Sequence, residues 1–167
     1  MTQATIDVGA LREILERGDP VTVLDVRLES QRTDWRIPGS GHFDTYGALK
    51  AEDPNAMEGA DLPDGQLVVT VCAAGNSSAV AAEQLRDRGF EAYTLEGGMK
   101  AWSIAWNAAE VPESAAEVVQ VRRTGKGCLP YLVGSGGEAA VIDAAVNPEI
   151  YLELAERRGW RTSSERP

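Results

Sequence analysis

Leu67-Val-Val-Thr-Val71 runs without a charge into Cys72-Ala-Ala-Gly75-Asn76, and the chain then enters a helical pattern that Gly89 stops. A buried strand that empties through a tight loop into a helix is a building unit of an α/β sheet, and no other stretch constrains the fold as much. The same junction activates its thiol. Successive loop N–H groups can converge on the sulfur, and a helix beginning near Ser77 or Ser78 adds unpaired amides and the positive end of its dipole. Both favour thiolate, which is the nucleophilic form. A cysteine can also be just a small buried apolar residue at a strand end. Gly75 and Asn76 argue against that here, because both tolerate the left-handed backbone angles that a loop curling around one atom needs.

The residues around this junction alternate strand and helix. Val8, Leu11, Ile14 and Leu15 have helical spacing over 8–17, with Gly18 and Pro20 as the stop. Val21 to Val26 reads as a buried strand, and 29–64 is poor in regular signals except for a short helix over 46–51. A helix over 78–88 is predicted with Val80, Ala81 and Leu85 inward, then a strand over 92–95 and a helix over 99–106. Such alternation implies a parallel sheet with helices on both faces, where ligands sit outside the carboxyl ends of the strands. Cys72 stands at one of those ends.

The segment Cys72-Ala-Ala-Gly-Asn-Ser-Ser78 resembles the active-site loop of rhodanese-type sulfurtransferases. Three more segments resemble that family in the same order: Val23-Leu-Asp25-Val-Arg27, Ile37-Pro38-Gly39-Ser40, and Leu95-Glu96-Gly97-Gly98-Met99-Lys100-Ala101-Trp102. Two departures are Arg36, where a histidine usually precedes Ile-Pro-Gly, and a long stretch from His42 to Asp64. The resemblance covers residues 1–108 and implies a rhodanese-like domain. It implies that Cys72 is the nucleophile and takes a sulfane sulfur from thiosulfate or a persulfide. A thiol or cyanide then removes that sulfur. The amides of Ala73, Ala74, Gly75, Asn76 and Ser77, with the Ser77 and Ser78 hydroxyls as candidate donors, would stabilise the anionic sulfur. Lys100 is the candidate cation for an anionic donor, or simply a solvated helix lysine. No cofactor is required.

Two other readings share this fold. Phosphatases related to the family carry a Cys-x₅-Arg loop, whose arginine grips phosphate bidentately. This chain has Ser77 in that stretch and no arginine before Arg86, so phosphatase activity is disfavoured. Rhodanese-like domains can also serve as docking or regulatory modules for an attached hydrolase-like domain. A replaced cysteine is the usual sign of that role, and Cys72 is retained.

Past residue 108 the character changes. Residues 109–117, small and acidic with Pro112, read as a linker. Three β-like runs follow, Val118 to Arg122, Cys128 to Val133 and Ala139 to Asp143, separated by turns at 124–127 and 134–137. A helix over 148–158 starts at Pro148 and ends before Gly159. Residues 118–167 resemble the N-terminal fragment of a metallo-β-lactamase-like domain of the persulfide-dioxygenase and glyoxalase type, through Gly127-Cys-Leu-Pro-Tyr-Leu-Val133 and Ala140-Val-Ile-Asp-Ala144. The metal-binding motif of that family is absent. The chain's one histidine, His42, lies in the first domain and reads as a surface or turn residue, so Asp143 has no ligand to support and no metal is expected. Cys128 reads as a small buried residue and not a resolving thiol. So short a segment without disulfide or metal is near the limit for an independent core, and an exposed strand edge there would invite a homodimer.

Composition sets the remaining bounds. The 167 residues are 43% hydrophobic, enough for a packed core. The first twenty residues are too charged for a signal peptide, and no apolar run approaches a membrane span. Two cysteines, one in a reactive loop, point to a reducing compartment, hence the cytoplasm. Residues 1–112 carry 18 acidic and 9 basic side chains, against 8 and 7 in 113–167. So acidic a first domain repels nucleic-acid phosphates and anionic membranes alike, while the rhodanese resemblance implies small sulfur-containing anions and thiols as partners.

Overall fold

The computed structural model describes residues 4–112, 114–123 and 127–162. The chain forms two compact units, Met1–Trp102 and Ser103–Pro167.

The first unit is a five-stranded parallel sheet. In chain order its elements are β1 (Thr5–Ile6), α1 (Val8–Arg17), β2 (Val21–Asp25), α2 (Glu29–Asp34), β3 (Gly41–His42), α3 (Tyr46–Lys50), β4 (Leu67–Val71), α4 (Asn76–Asp87), β5 (Ala92–Leu95) and α5 (Gly98–Ile104). The strand order is β1-β5-β4-β2-β3. Central β4 pairs on both sides, Val21 to Asp25 against Leu67 to Val71, and Val68 to Thr70 against Ala92 to Thr94. Its side chains alternate between two cores, as the two-residue period of a strand requires. Val68 and Cys72 join Leu24, Val26, Leu49, Met57, Ala81 and Leu85 on the α3 and α4 face. Val69 and Val71 join Leu11, Val23, Leu95, Met99 and Trp102 on the α1 and α5 face. The chain leaves β4 toward β5 and leaves β2 toward β3, so the strand order switches between β2 and β4 at the end where Cys72 stands.

The expected stop of α1 is in place, with Gly18 closing the helix at φ +73°, and Asp7 Oδ1 caps its start by accepting from the Ala10 amide at 2.9 Å. Val80 is a correction. It is 39% exposed, and the inner face of α4 is instead Ser78, Ala79, Ala81, Ala82 and Leu85. All but Leu85 are small, which suits a helix lying close over the sheet. α4 also begins at Asn76, earlier than the sequence suggests, and α5 ends at Ile104, so Trp106 lies outside it.

The second unit holds β6 (Asn107–Val111), β7 (Glu117–Arg122), β8 (Tyr131–Ser135), β9 (Glu138–Ile142), α6 (Pro148–Glu156) and β10 (Arg161–Thr162). β6 to β9 form an antiparallel meander, and β10 adds to β9 in parallel. One face packs Val119, Val121, Leu132 and Ala139 against Tyr151, Leu154, Ala155 and Trp160. The stretch 109–117 is therefore not all linker, because Asn107 to Val111 pair with Arg122 to Val118 along β7. β6 is an edge strand of small and polar residues, whose backbone pairing carries no hydrophobic pattern for a reader to find. The run expected from Cys128 begins as regular strand only at Tyr131, with an isolated bridge between Arg123 and Cys128. Cys128 is only half-buried, which corrects its reading as a core residue. Most of the turn expected at 124–127 lies outside the described residues.

Among the described residues, no helix is long and apolar enough to cross a membrane. Gly134 on β8 lies against the Trp160 indole, and a Cβ there would come within 2.4 Å of two ring carbons. Gly134→Ala is expected to destabilise the second unit by about 1–3 kcal/mol, as overpacking does, read as a lower urea midpoint in equilibrium unfolding. An unchanged midpoint would mean that the indole does not seat against β8.

Candidate functional site

The site begins where β4 runs out of partners. The Val71 carbonyl accepts from the Val26 amide at 3.0 Å, and the next residue is Cys72. Cys72 is 3% exposed, while Ala73 and Ala74 after it are exposed. Gly75 sits at φ +95°, a left-handed angle open to glycine at little cost, and serves as the N-cap of α4. This turn folds the loop back over its own sulfur.

The sulfur is met by donors. The Gly75 amide donates to Cys72 Sγ at 3.1 Å and the Ser78 hydroxyl at 3.3 Å. Burial by itself pushes the Cys72 thiol up. The Ser78 hydroxyl, then the amides of Ser78, Ala74 and Gly75, outweigh it and hold the group below its ordinary value. Ser78 is fully buried, and its hydroxyl also meets Thr94 Oγ1 at 2.7 Å. Its carbonyl accepts from Thr70 Oγ1 at 2.7 Å. Of the two serine hydroxyls expected at the sulfur, Ser78 makes the bond. Ser77 is half-buried and Asn76 exposed, and among the described residues neither side chain reaches Cys72.

The loop is held from the other side by α5. Met99 N donates to the Cys72 carbonyl at 2.8 Å and Lys100 N to the Ala73 carbonyl at 3.0 Å. Lys100 thus touches the loop through its backbone, while its side chain is exposed. Such close approach depends on Gly98. A Cβ there would lie 2.3 Å from the Cys72 carbonyl oxygen, 2.8 Å from Gly75 N and 3.0 Å from Ala74 N. The Gly97-Gly98 pair is visible in the sequence, but its role as a seat for the loop is not. Nor does the sequence single out Thr94, since threonine in a strand is explained by β-propensity alone.

Asp25 and Arg27, the Asp-x-Arg motif at the end of β2, form a buried ion pair. Arg27 Nη2 lies 2.7 Å from Asp25 Oδ2 and also donates to the Trp35 carbonyl at 2.7 Å. His42, expected as a surface or turn residue, is half-buried at the end of β3. Its Nε2 is 2.8 Å from the Arg27 carbonyl and its Nδ1 2.7 Å from Glu29 Oε2, so the ring braces the same corner. Among the described residues, no three His, Cys, Asp or Glu side chains are grouped to hold a metal.

The family model for rhodanese-like domains matches residues 7–105. Thiosulfate sulfurtransferase GlpE of Stutzerimonas stutzeri is 36% identical over 87 residues, 52% of this chain and 73% of that protein. GlpE of Pseudomonas putida is 32% identical over 104 residues, covering 62% and 87%. The crystal structure of a rhodanese-related protein from Thermoplasma volcanium aligns with 59% of this chain and 89% of its own, at 28% identity and a TM-score of 0.47.

Because the folded state holds the Cys72 thiol below its unfolded value, ionisation and folding are linked. The stabilisation is fully present above the ordinary thiol value of 9.0 and is lost as pH falls through the lower folded-state value. The unfolding free energy of the wild type minus that of Cys72→Ala should therefore rise with pH across that window. A difference that is flat or falls with pH would mean that the cradle does not favour thiolate.

Proposed function

This chain belongs to the rhodanese-like domain family through residues 7–105, and from that premise we propose that it is a sulfurtransferase working through a persulfide on Cys72. The observation that carries the reading is the cradle: one strand-end thiol facing the Gly75 amide and the Ser78 hydroxyl, with amides of Ala74 and Ser78 adding to them.

With thiosulfate as donor, the Cys72 thiolate attacks the outer sulfur. A Cys72 S–S bond forms, the bond from that sulfur to the sulfonate breaks, and sulfite leaves with the bonding pair. The outer sulfur of the resulting persulfide carries the negative charge. A nucleophile then attacks it: cyanide departs as thiocyanate, or a thiolate departs as a new persulfide, and the Cys72 thiolate returns. Donors fixed before reaction stabilise the anionic sulfur without reorganising, by the logic of an oxyanion hole. The exposed Ala73 and Ala74 leave the loop unobstructed by bulky side chains, and the exposed Lys100 ammonium is offered as the cation that draws an anionic donor. The names of the GlpE relatives, thiosulfate sulfurtransferase, support this choice of donor. Residues 118–167 are proposed as the opening of a metallo-β-lactamase-like domain, a reading supported by antiparallel strands followed by α6.

Cys72→Ser is expected to abolish thiosulfate:cyanide sulfur transfer, because a hydroxyl has almost no anionic form near neutral pH. Mass spectrometry of the wild type after thiosulfate treatment should show one added sulfur atom on Cys72, and Cys128→Ser should change turnover little. Substantial turnover by Cys72→Ser, or no sulfur added to the wild type, would overturn the assignment and favour a docking role.

A further inference from the structure

The donor that reaches the Cys72 sulfur from the side-chain side does not stand alone. Ser78 Oγ is 3.3 Å from the sulfur and 2.7 Å from Thr94 Oγ1, and the two hydroxyl residues are 0% and 2% exposed. Thr94 lies on β5, in register with Thr70 of β4, directly beneath the first turn of α4. A hydroxyl has one proton to give. If Ser78 gave its proton to Thr94, the buried Thr94 proton would have no other acceptor among the described residues, and an unmet buried donor is costly. The arrangement that satisfies every group runs one way, Thr94 to Ser78 to sulfur.

We propose that Thr94 is a positioning residue for the nucleophile, whose hydroxyl donates to Ser78 Oγ and thereby commits the Ser78 proton to the Cys72 sulfur. A serine in a helix can otherwise swing its hydroxyl onto the backbone carbonyl one turn earlier. Thr94 opposes that swing by holding Ser78 Oγ as an acceptor over the sheet, while Thr70 holds the Ser78 carbonyl at 2.7 Å. A hydroxyl polarised by a donor behind it is a stronger donor in front. The pair thus presents a proton toward the sulfur, which suits a thiolate or an anionic persulfide and disfavours a neutral thiol. Thr94 touches neither the sulfur nor a substrate, and its effect passes through Ser78.

This deepens the sulfurtransferase reading and rests on it for its purpose, but the test reads ionisation directly. In the Cys128→Ser background, Cys72 thiolate is titrated by its ultraviolet absorbance, with circular dichroism checking the fold. Thr94→Val keeps the shape and removes the donor, and should raise the midpoint by roughly half a unit to one unit, the scale of one lost hydrogen bond. Thr94→Ser keeps the hydroxyl and should restore the wild-type midpoint. Ser78→Ala should raise it at least as far, and Thr94→Val should add nothing in that background, since the two act as one chain. If Thr94→Val does not fold, the Ser78→Ala and Thr94→Ser midpoints decide. An unchanged midpoint in folded Thr94→Val or in Ser78→Ala, a Thr94→Ser shift as large as that of Thr94→Val, or full additivity would overturn the proposal. Wild-type protein that titrates as described but accepts no sulfur would instead refute the sulfurtransferase reading and leave the relay standing.

Discussion

Two backbone hydrogen bonds, from Met99 N and Lys100 N of α5 to the carbonyls of Cys72 and Ala73, set the direction of everything in the loop. In a trans peptide the C=O and N–H point to opposite sides. Turning the Ala73 carbonyl toward α5 therefore turns the Ala74 amide away from it, and that amide is among the groups that hold the Cys72 thiol down. Gly75, at φ +95°, then brings its own N–H to 3.1 Å from the sulfur. Both arms of the arrangement need glycine for different reasons, Gly75 for its backbone angle and Gly98 for the space a Cβ would take from the Cys72 carbonyl.

The sheet supplies the second half of the site. Parallel pairing sets Thr70 beside Thr94, and both hydroxyls meet Ser78 from below, one at its carbonyl and the other at its side chain. The neighbouring strand end is closed by the buried Asp25–Arg27 pair, which ties β2 to the Trp35 carbonyl. A buried pair of this kind contributes little net stability but costs much to break by removing one partner. Its effect here is to hold a fixed turn beside the Cys72 loop's own strand. The nucleophile thus stands on a frame in which the Thr70, Thr94, Asp25 and Arg27 side chains are all hydrogen-bonded.

What the sequence shows and what it hides follow from where the information lies. The helix α1, the strands β4 and β5 and the cysteine loop carry strong local signals: helical spacing with a Gly18 stop, uncharged strand runs, and Gly75. β1, β3 and β10 are two residues long, and only their partners make them strands. α2 buries no residue, so it has no apolar stripe to detect. Val80 was misplaced because helical spacing alone gives a stripe but not its phase against a sheet packed so closely that alanines fill the contact. His42 reads as a surface or turn residue because its partners, the Arg27 carbonyl and Glu29, are remote in sequence. At the site the cysteine and its glycine were legible, whereas Thr94 and the seat at Gly98 exist only once α5 and β5 come together beside the loop.

The most direct test of the view that α5 aims the loop amides is the Cys72 thiolate titration of Gly98→Ala in the Cys128→Ser background. An added Cβ must displace the Cys72 carbonyl, Gly75 N or Ala74 N, all within 3.0 Å of it. The midpoint should move up toward that of an ordinary thiol, with near-native circular dichroism. A folded Gly98→Ala protein with the wild-type midpoint would show that the loop holds its shape without α5, and would contradict the view.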